Sequence, residues 1–352
     1  MPMPRAFSGW MPILVASLAA SIQSCTPGPA SHEFTRVAIT VLHEDSASYR
    51  ALEVLPGSIG FAGSDGRFGS ISFPGETVRL GNLEHRGSRP EFRAVAHTAT
   101  DFFLLSAGDP ALLYKTGDSG SMELVFTESG PGVFYDSMAF WDDTLGIAVG
   151  DAREGCLSIL LTRDGGKTWE RKPCGELPPA IEGEGAFAAS NTNIALSGNH
   201  CWVATTKGRV FHSPDRGNNW EVFTTPAAVD SDSQGIFSLA FFDEELGFAI
   251  GGDYTDAAIR TGNKMITRDG GQTWSRVADG ELPGYKSCVQ FVPGSGGEDL
   301  VAVGYTGIVY SRDQGRSWRE LSGESFYTIR FVNDSVAYAG GRGRLARLDF
   351  SR

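Results

Sequence analysis

The chain has 352 residues, a formal net charge of −12 and a pI near 5.0. That balance excludes the basic stripe a protein needs to displace counterions from nucleic acid, so no nucleic-acid partner is expected. With 41% hydrophobic residues, 20% charged residues and 45 glycines, the chain is a globular one made of many short strands and turns.

Residues 1–24 read as an export signal, to be set aside from fold reasoning. Arg5 gives a thin positive start, and residues 10–22 (WMPILVASLAASI) form an apolar stretch too short to read as a membrane span. Ile22-Gln23-Ser24-Cys25 resembles a bacterial lipobox, in which Cys25 would become the lipidated first residue; Gln23 is atypical there, and ordinary cleavage is the alternative. Residues 25–33, with Pro27 and Pro29, read as a tether. The expected location is the bacterial cell envelope, lipid-anchored to the outer membrane or periplasmic.

Residues 35–42 (TRVAITVL) form a strand with no turn partner before it. A unit then recurs seven times, with openings at Tyr49, Phe92, Tyr135, Glu184, Ile236, Lys286 and Phe326. In each, a short apolar strand is followed by a second one ending in glycine: Gly63, Gly108, Gly150, Gly198, Gly251, Gly304 and Gly340. A third strand leads into a turn whose pattern is Ser/Thr-x-Asp-x-Gly-x-(Thr/Ser/Asn)-Trp. It occurs at Thr162 to Trp169, Ser213 to Trp220, Thr267 to Trp274 and Ser311 to Trp318, with a worn copy from Thr116 to Glu123. Asp118, Asp164, Asp215, Asp269 and Asp313 are therefore read as turn formers, each accepting backbone N–H groups a few residues on, and not as catalysts. Five copies are hard to reconcile with one active site.

A repeat of roughly 40 to 54 residues is the size of a four-stranded propeller blade. The last unit runs out after three strands, and residues 35–42 supply the missing fourth, which would close the ring and hide its edges. The expected fold is all-β: one domain over residues 34–352, a seven-bladed β-propeller closed by the N-terminal strand. Six blades is the alternative, should the first unit, which has no such turn, pack differently.

Four cysteines follow Cys25. If Thr162 and Thr168 pair across their turn, the same register sets Cys156 opposite Cys174, and a cross-strand disulfide is expected in an exported protein. Cys201 and Cys288 fall in separate repeats and are expected as buried thiols.

The recurring turn is the Asp-box of the bacterial neuraminidase repeat, and the chain after residue 34 resembles the photosystem II assembly-factor type of Asp-box propeller. The most specific matches lie outside the turns. They are Tyr135-Asp136-Ser137-Met138-Ala139-Phe140-Trp141-Asp142, residues 183–192 (GEGAFAASNT), and Gly235-Ile236-Phe237-Ser238-Leu239-Ala240-Phe241 running on to Gly251-Gly252-Asp253-Tyr254. These resemble a subgroup of exported bacterial propellers commonly called oxidoreductases. The resemblance implies an assembly or binding role. No strand-GxGxxG-helix, no CxxCH and no redox-spaced cysteine pair supports the oxidoreductase name, so no cofactor is expected.

Propeller ligands usually sit at the mouth of the channel. The loops entering the inner strands offer Arg50, Arg93, Asp136, Glu184, Lys286 and Tyr327; those leaving the second strands offer Asp65, Asp109, Asp151, Asn199, Asp253, Tyr254, Tyr305 and Arg342. Such a mouth could hold a cation, a polar ligand or a peptide. The expected protein is a monomeric, non-enzymatic, envelope-anchored scaffold for another envelope protein or a polar or cationic ligand. The alternatives are a sialidase-like glycoside hydrolase, which needs an arginine triad, a tyrosine nucleophile with its base and an acid carboxyl, and an enzyme matching the oxidoreductase name. No metal site is expected.

Overall fold

The computed structural model describes residues 1–2, 33–118 and 120–352. The proposed signal segment, Cys25 and the tether before Glu33 lie outside the described residues, as does Ser119 in the worn turn. Residues 33–352 make one unit of antiparallel strands. Five of its sheets have four strands each, built from residues 92–128, 135–171, 194–224, 234–276 and 288–322.

The blade count is corrected by the sixth sheet: the propeller has six blades, not seven. The first and last repeats share one six-stranded ladder, because two long strands run through both of them. Strand Arg36–Leu55 pairs with strand Val336–Ser351 through its first half, Arg36 opposite Ser351 and Glu44 opposite Arg344. Through its second half it pairs with Ser58–Gly63, Leu52 opposite Phe61. Strand Val336–Ser351 in turn pairs with Thr328–Phe331. No turn interrupts either long strand; the irregularity between Glu44 and Ser48 is a local register shift. Asp45 stitches it, accepting the Ala47 N–H at 2.8 Å and the Tyr49 hydroxyl at 2.8 Å. The segment thus bends while its ladder continues, and a sequence reading that counts units counts one blade too many.

The Asp-box turns are built as their residue types dictate. Asp164 accepts the Thr168 N–H at 3.0 Å and the hydroxyls of Thr162 and Thr168 at 2.9 and 2.7 Å. Burial pulls its carboxyl upward, but these bonds outweigh it and hold the group below its ordinary range. Asp215, Asp269 and Asp313 repeat the pattern. Gly166 has φ +77°, and a Cβ there would collide with the Phe103 ring of the preceding sheet. Trp169 donates Nε1–H to the Gly166 carbonyl and stands edge-on to Phe103 and Phe140. The box therefore fixes a hairpin tip and wedges it against the neighbouring sheet. Cys156 and Cys174 are bridged, Cα to Cα 5.4 Å. The adjacent register is one residue off the expected one, Leu161 facing Glu170, and Cys174 sits in a short 3-10 turn, Cys174–Glu176.

The fourth repeat departs most from expectation. Its opening at Glu184 is not a strand: the inner strand is Ile194–Ser197, and Gly198 lies in the turn before His200–Ala204 instead of ending a second strand. Residues 186–193 cross the middle of the ring and bond to each other repeat. Ala189 O accepts from Arg50, and Ala188 O from Arg93 at 2.9 Å. Asn191, at φ +57°, donates to Val95 O and accepts from the Met138 N–H. Thr192 bonds Ser238, Ser190 donates to Ser287 O, and Ser190 O accepts from Thr328 and Arg330. This crossing segment is the plug of the ring.

Candidate functional site

The plug is also a floor. Above it opens a cleft of about 630 Å³, lined by Arg50, Arg93, Phe134, residues 186–189, Phe237, Tyr254, Tyr285, Tyr305, Ser325, Tyr327 and Arg342. This falls within the roughly 300–1,000 Å³ of ordinary ligand sites. A smaller cleft of about 440 Å³ on the far side of the plug is lined by Glu53, Asn191, Gln290 and Arg330 among others.

Of the residues expected at the mouth, Arg50, Arg93, Tyr254, Tyr305, Tyr327 and Arg342 come together there. The acidic ones do not. Glu184 is buried and taken by Arg209 and by the Thr205 hydroxyl. Asp253 caps its own loop through the Thr255 and Asp256 N–H groups. Asp109 accepts the Gly130 N–H, and Asp65 pairs with Arg89. Asp151 accepts the Ala186 N–H at 3.0 Å; its burial pushes the carboxyl up to about 6 against that bond. Asp136 is 0% exposed, and neither carboxylate oxygen has a partner among the described residues. Burial first, then Asp151, raise it well above the usual range, with Arg93 opposing. Lys286 is buried too, donates to Thr306, and burial lowers it to about 8. Asn199 lies at the other end of its sheet, accepting from Arg216 of an Asp-box. It sits there because the plug replaces the expected strand.

The mouth, expected to mix several carboxylates with a few arginines, is cationic and aromatic: among the described residues no Asp or Glu lines it. Arg50 lies over the Tyr327 ring at 3.9 Å, and its Nε is buried without a partner among the described residues. Burial, then the nearby Arg93, lower its guanidinium from the ordinary value. Arg93 also holds Glu91 at 2.9 Å. The Arg342 side chain makes no hydrogen bond or ion pair among the described residues and is exposed. The facing wall is made of rings: Phe187 stacked on Phe237 at 3.8 Å, and Tyr285 tilted against Tyr305 at 4.9 Å. Sequence reasoning missed Phe187, Phe237 and Tyr285; their signal was an aromatic residue near the openings of three successive repeats. Two crowded guanidiniums with little carboxylate near them favour an anion, and the rings favour apolar or aromatic matter. Among the described residues, no group of three His, Cys, Asp or Glu side chains is placed to hold a metal ion.

Residues 123–239 match the family described as photosynthesis system II assembly factor YCF48, and residues 265–276 match the BNR/Asp-box repeat. The first match spans less than half of the chain. No curated protein matches. Among solved structures the chain is similar to YCF48 bound to a D1 peptide, at 14% identity and TM-score 0.64, covering 93% of this chain and 100% of that one. It is similar to YCF48 from Cyanidioschyzon merolae at 15% identity and TM-score 0.63, covering 89% and 98%. It also resembles U3-55K, at 14% identity and TM-score 0.62, covering 88% and 98%. At these identities the likeness to solved structures is one of fold. The chain is an Asp-box β-propeller that resembles the YCF48 family.

Proposed function

We propose that this protein is a non-enzymatic scaffold, exported and held at the cell envelope through Cys25, that docks an acidic segment of a protein partner in the channel mouth. The observation that carries the reading is the cleft shared by Arg50, Arg93 and Arg342, which among the described residues no carboxylate lines, in a chain of net charge −12. A partner's Asp or Glu would offset the positive charge that Arg50, Arg93 and Arg342 share along the cleft. The solved YCF48 bound to a D1 peptide supports a propeller of this kind taking a peptide. A cationic ligand does not suit the lining. The hydrolase alternative finds arginines and tyrosines here, but among the described residues no carboxyl lines the cleft: Glu91 is held by Arg93, and Asp136 is buried.

The test is capture of partners by the native protein from detergent-solubilised envelopes, beside an Arg342→Glu variant. Arg342 is exposed, so folding should be untouched. The expected result is a partner retained by the native protein, released by salt and lost by the variant. Equal recovery by both proteins would sink docking at this mouth. Mass spectrometry of the mature terminus tests the anchor: an unmodified terminus downstream of Cys25 overturns it.

A further inference from the structure

The mouth carries its arginines and its exposed Tyr254 and Tyr305 on different repeats, while Tyr327, under Arg50, lies among the arginines. Arg342, Arg50 and Arg93 come from the seventh, first and second repeats, which adjoin, so positive charge occupies one arc of the rim. Phe237 with Tyr254, and Tyr285 with Tyr305, come from the fifth and sixth, which form the other arc, and Phe187 of the plug stacks on Phe237. Tyr254 and Tyr305 are 47% and 40% exposed, large rings left open to water. They are fixed there, since the Tyr305 hydroxyl donates to the Tyr254 carbonyl at 3.1 Å and Phe187 and Phe237 both stand edge-on to Tyr254. The plug carbonyls of Ala188 and Ala189 hold Arg93 and Arg50 on their side.

We propose that the mouth reads two features of its partner at once: a carboxylate on the arginine arc and, a few residues away in the same segment, an aromatic side chain on the tyrosine arc. The inference rests on the docking reading above and adds to it a sequence requirement on the partner. A carboxylate alone would leave the exposed rings wet, and an aromatic residue alone would leave Arg50 without its counter-charge. Together the two contacts set the direction in which the segment lies across the ring. Acidic segments lacking an aromatic neighbour are thereby discriminated against.

The test uses the full chain in detergent and fluorescein-labelled hexapeptides with one Asp and one Phe separated by one to four Gly or Ser residues, read by fluorescence polarisation. At the best spacing, replacing Phe by Ala in the peptide should weaken binding about tenfold. In a Tyr254→Ala, Tyr305→Ala protein that tenfold advantage should vanish, while the penalty for changing the peptide's Asp to Asn persists. In Arg342→Ala the Asp penalty should shrink and the Phe advantage remain. An unchanged thermal melt of each variant shows that the fold is intact. If peptides with and without Phe bind the wild-type protein equally, the two-feature reading is overturned and acidic docking stands. If no acidic peptide binds at all, the docking reading falls with it.

Discussion

Asp136 shows how far a single position can be read and where reading stops. The repeat register correctly places it in the row that includes Arg50 and Arg93. Its burial was not legible, because the sequence pattern cannot tell it from the equivalent positions Arg50 and Arg93, which line the cleft. Inside, it is a carboxyl with no partner among the described residues, and burial and the nearby Asp151 favour its protonated form. The folded state keeps a proton that the unfolded chain gives up near pH 4, so stability falls as pH rises through that window, and the loss is complete above the folded-state value. Asp151, pushed to about 6, adds a loss of the same sign between about pH 4 and 6. Asp136→Asn keeps the shape without the ionisation. We expect it to raise the melting temperature at pH 7.5 by about 2–4 °C and to flatten the decline in stability above pH 4. A melting temperature lowered at pH 7.5 would show that the carboxylate form is the one the fold needs.

At the scale of the element, the Asp-box was legible almost in full, since its aspartate, glycine and tryptophan act within eight residues of one another. What surrounds each box was less so, because wedging depends on the sheet before it. Gly166 meets Phe103, Gly271 meets Trp202 and Gly315 meets Phe248. The worn copy at Asp118 has no tryptophan to offer. Between the first and second repeats an apolar cleft of about 390 Å³ remains, lined by Leu55, Phe68, Leu80 and Phe102 over Gly60 and Gly69. Side chains facing that gap have nothing to pack against on one side, so the strands beneath them should open more easily. Native-state hydrogen exchange should find the amides of Ser58–Gly63 and Phe102–Ser106 less protected than those of Gly247–Asp253; equal protection would refute it. The disulfide belongs to this scale too. Closing 18 residues, the Cys156–Cys174 bridge should contribute about 3 kcal/mol, so a Cys156→Ser, Cys174→Ser protein should unfold at correspondingly lower denaturant. An unchanged midpoint would make the bridge incidental.

Across the whole molecule, the class of fold and the meeting of its first and last strands followed from counting repeats. The number of sheets did not, because the pairing resumes at Ser48 after the register shift that Asp45 spans, where the repeat count sets a boundary. The sign of the mouth was also hidden: aspartates after glycines look the same in sequence whether they face a ligand or cap a loop, as Asp253 does. The plug, residues 186–193, overlaps a stretch read as the opening strand of the fourth repeat, yet it joins the repeats to one another. Its bonds make the ring's centre as continuous as its circumference. That circumference has a simple corollary. The Thr35 N–H donates to Ser351 O at 2.8 Å, so the strands that bring the backbone in and carry it out lie side by side. Such a polypeptide is indifferent to where translation starts. A circular permutant joining residue 352 to residue 33 through a short glycine-serine linker, and opened in the exposed loop at residues 294–296, should fold to the same structure and bind the same peptides.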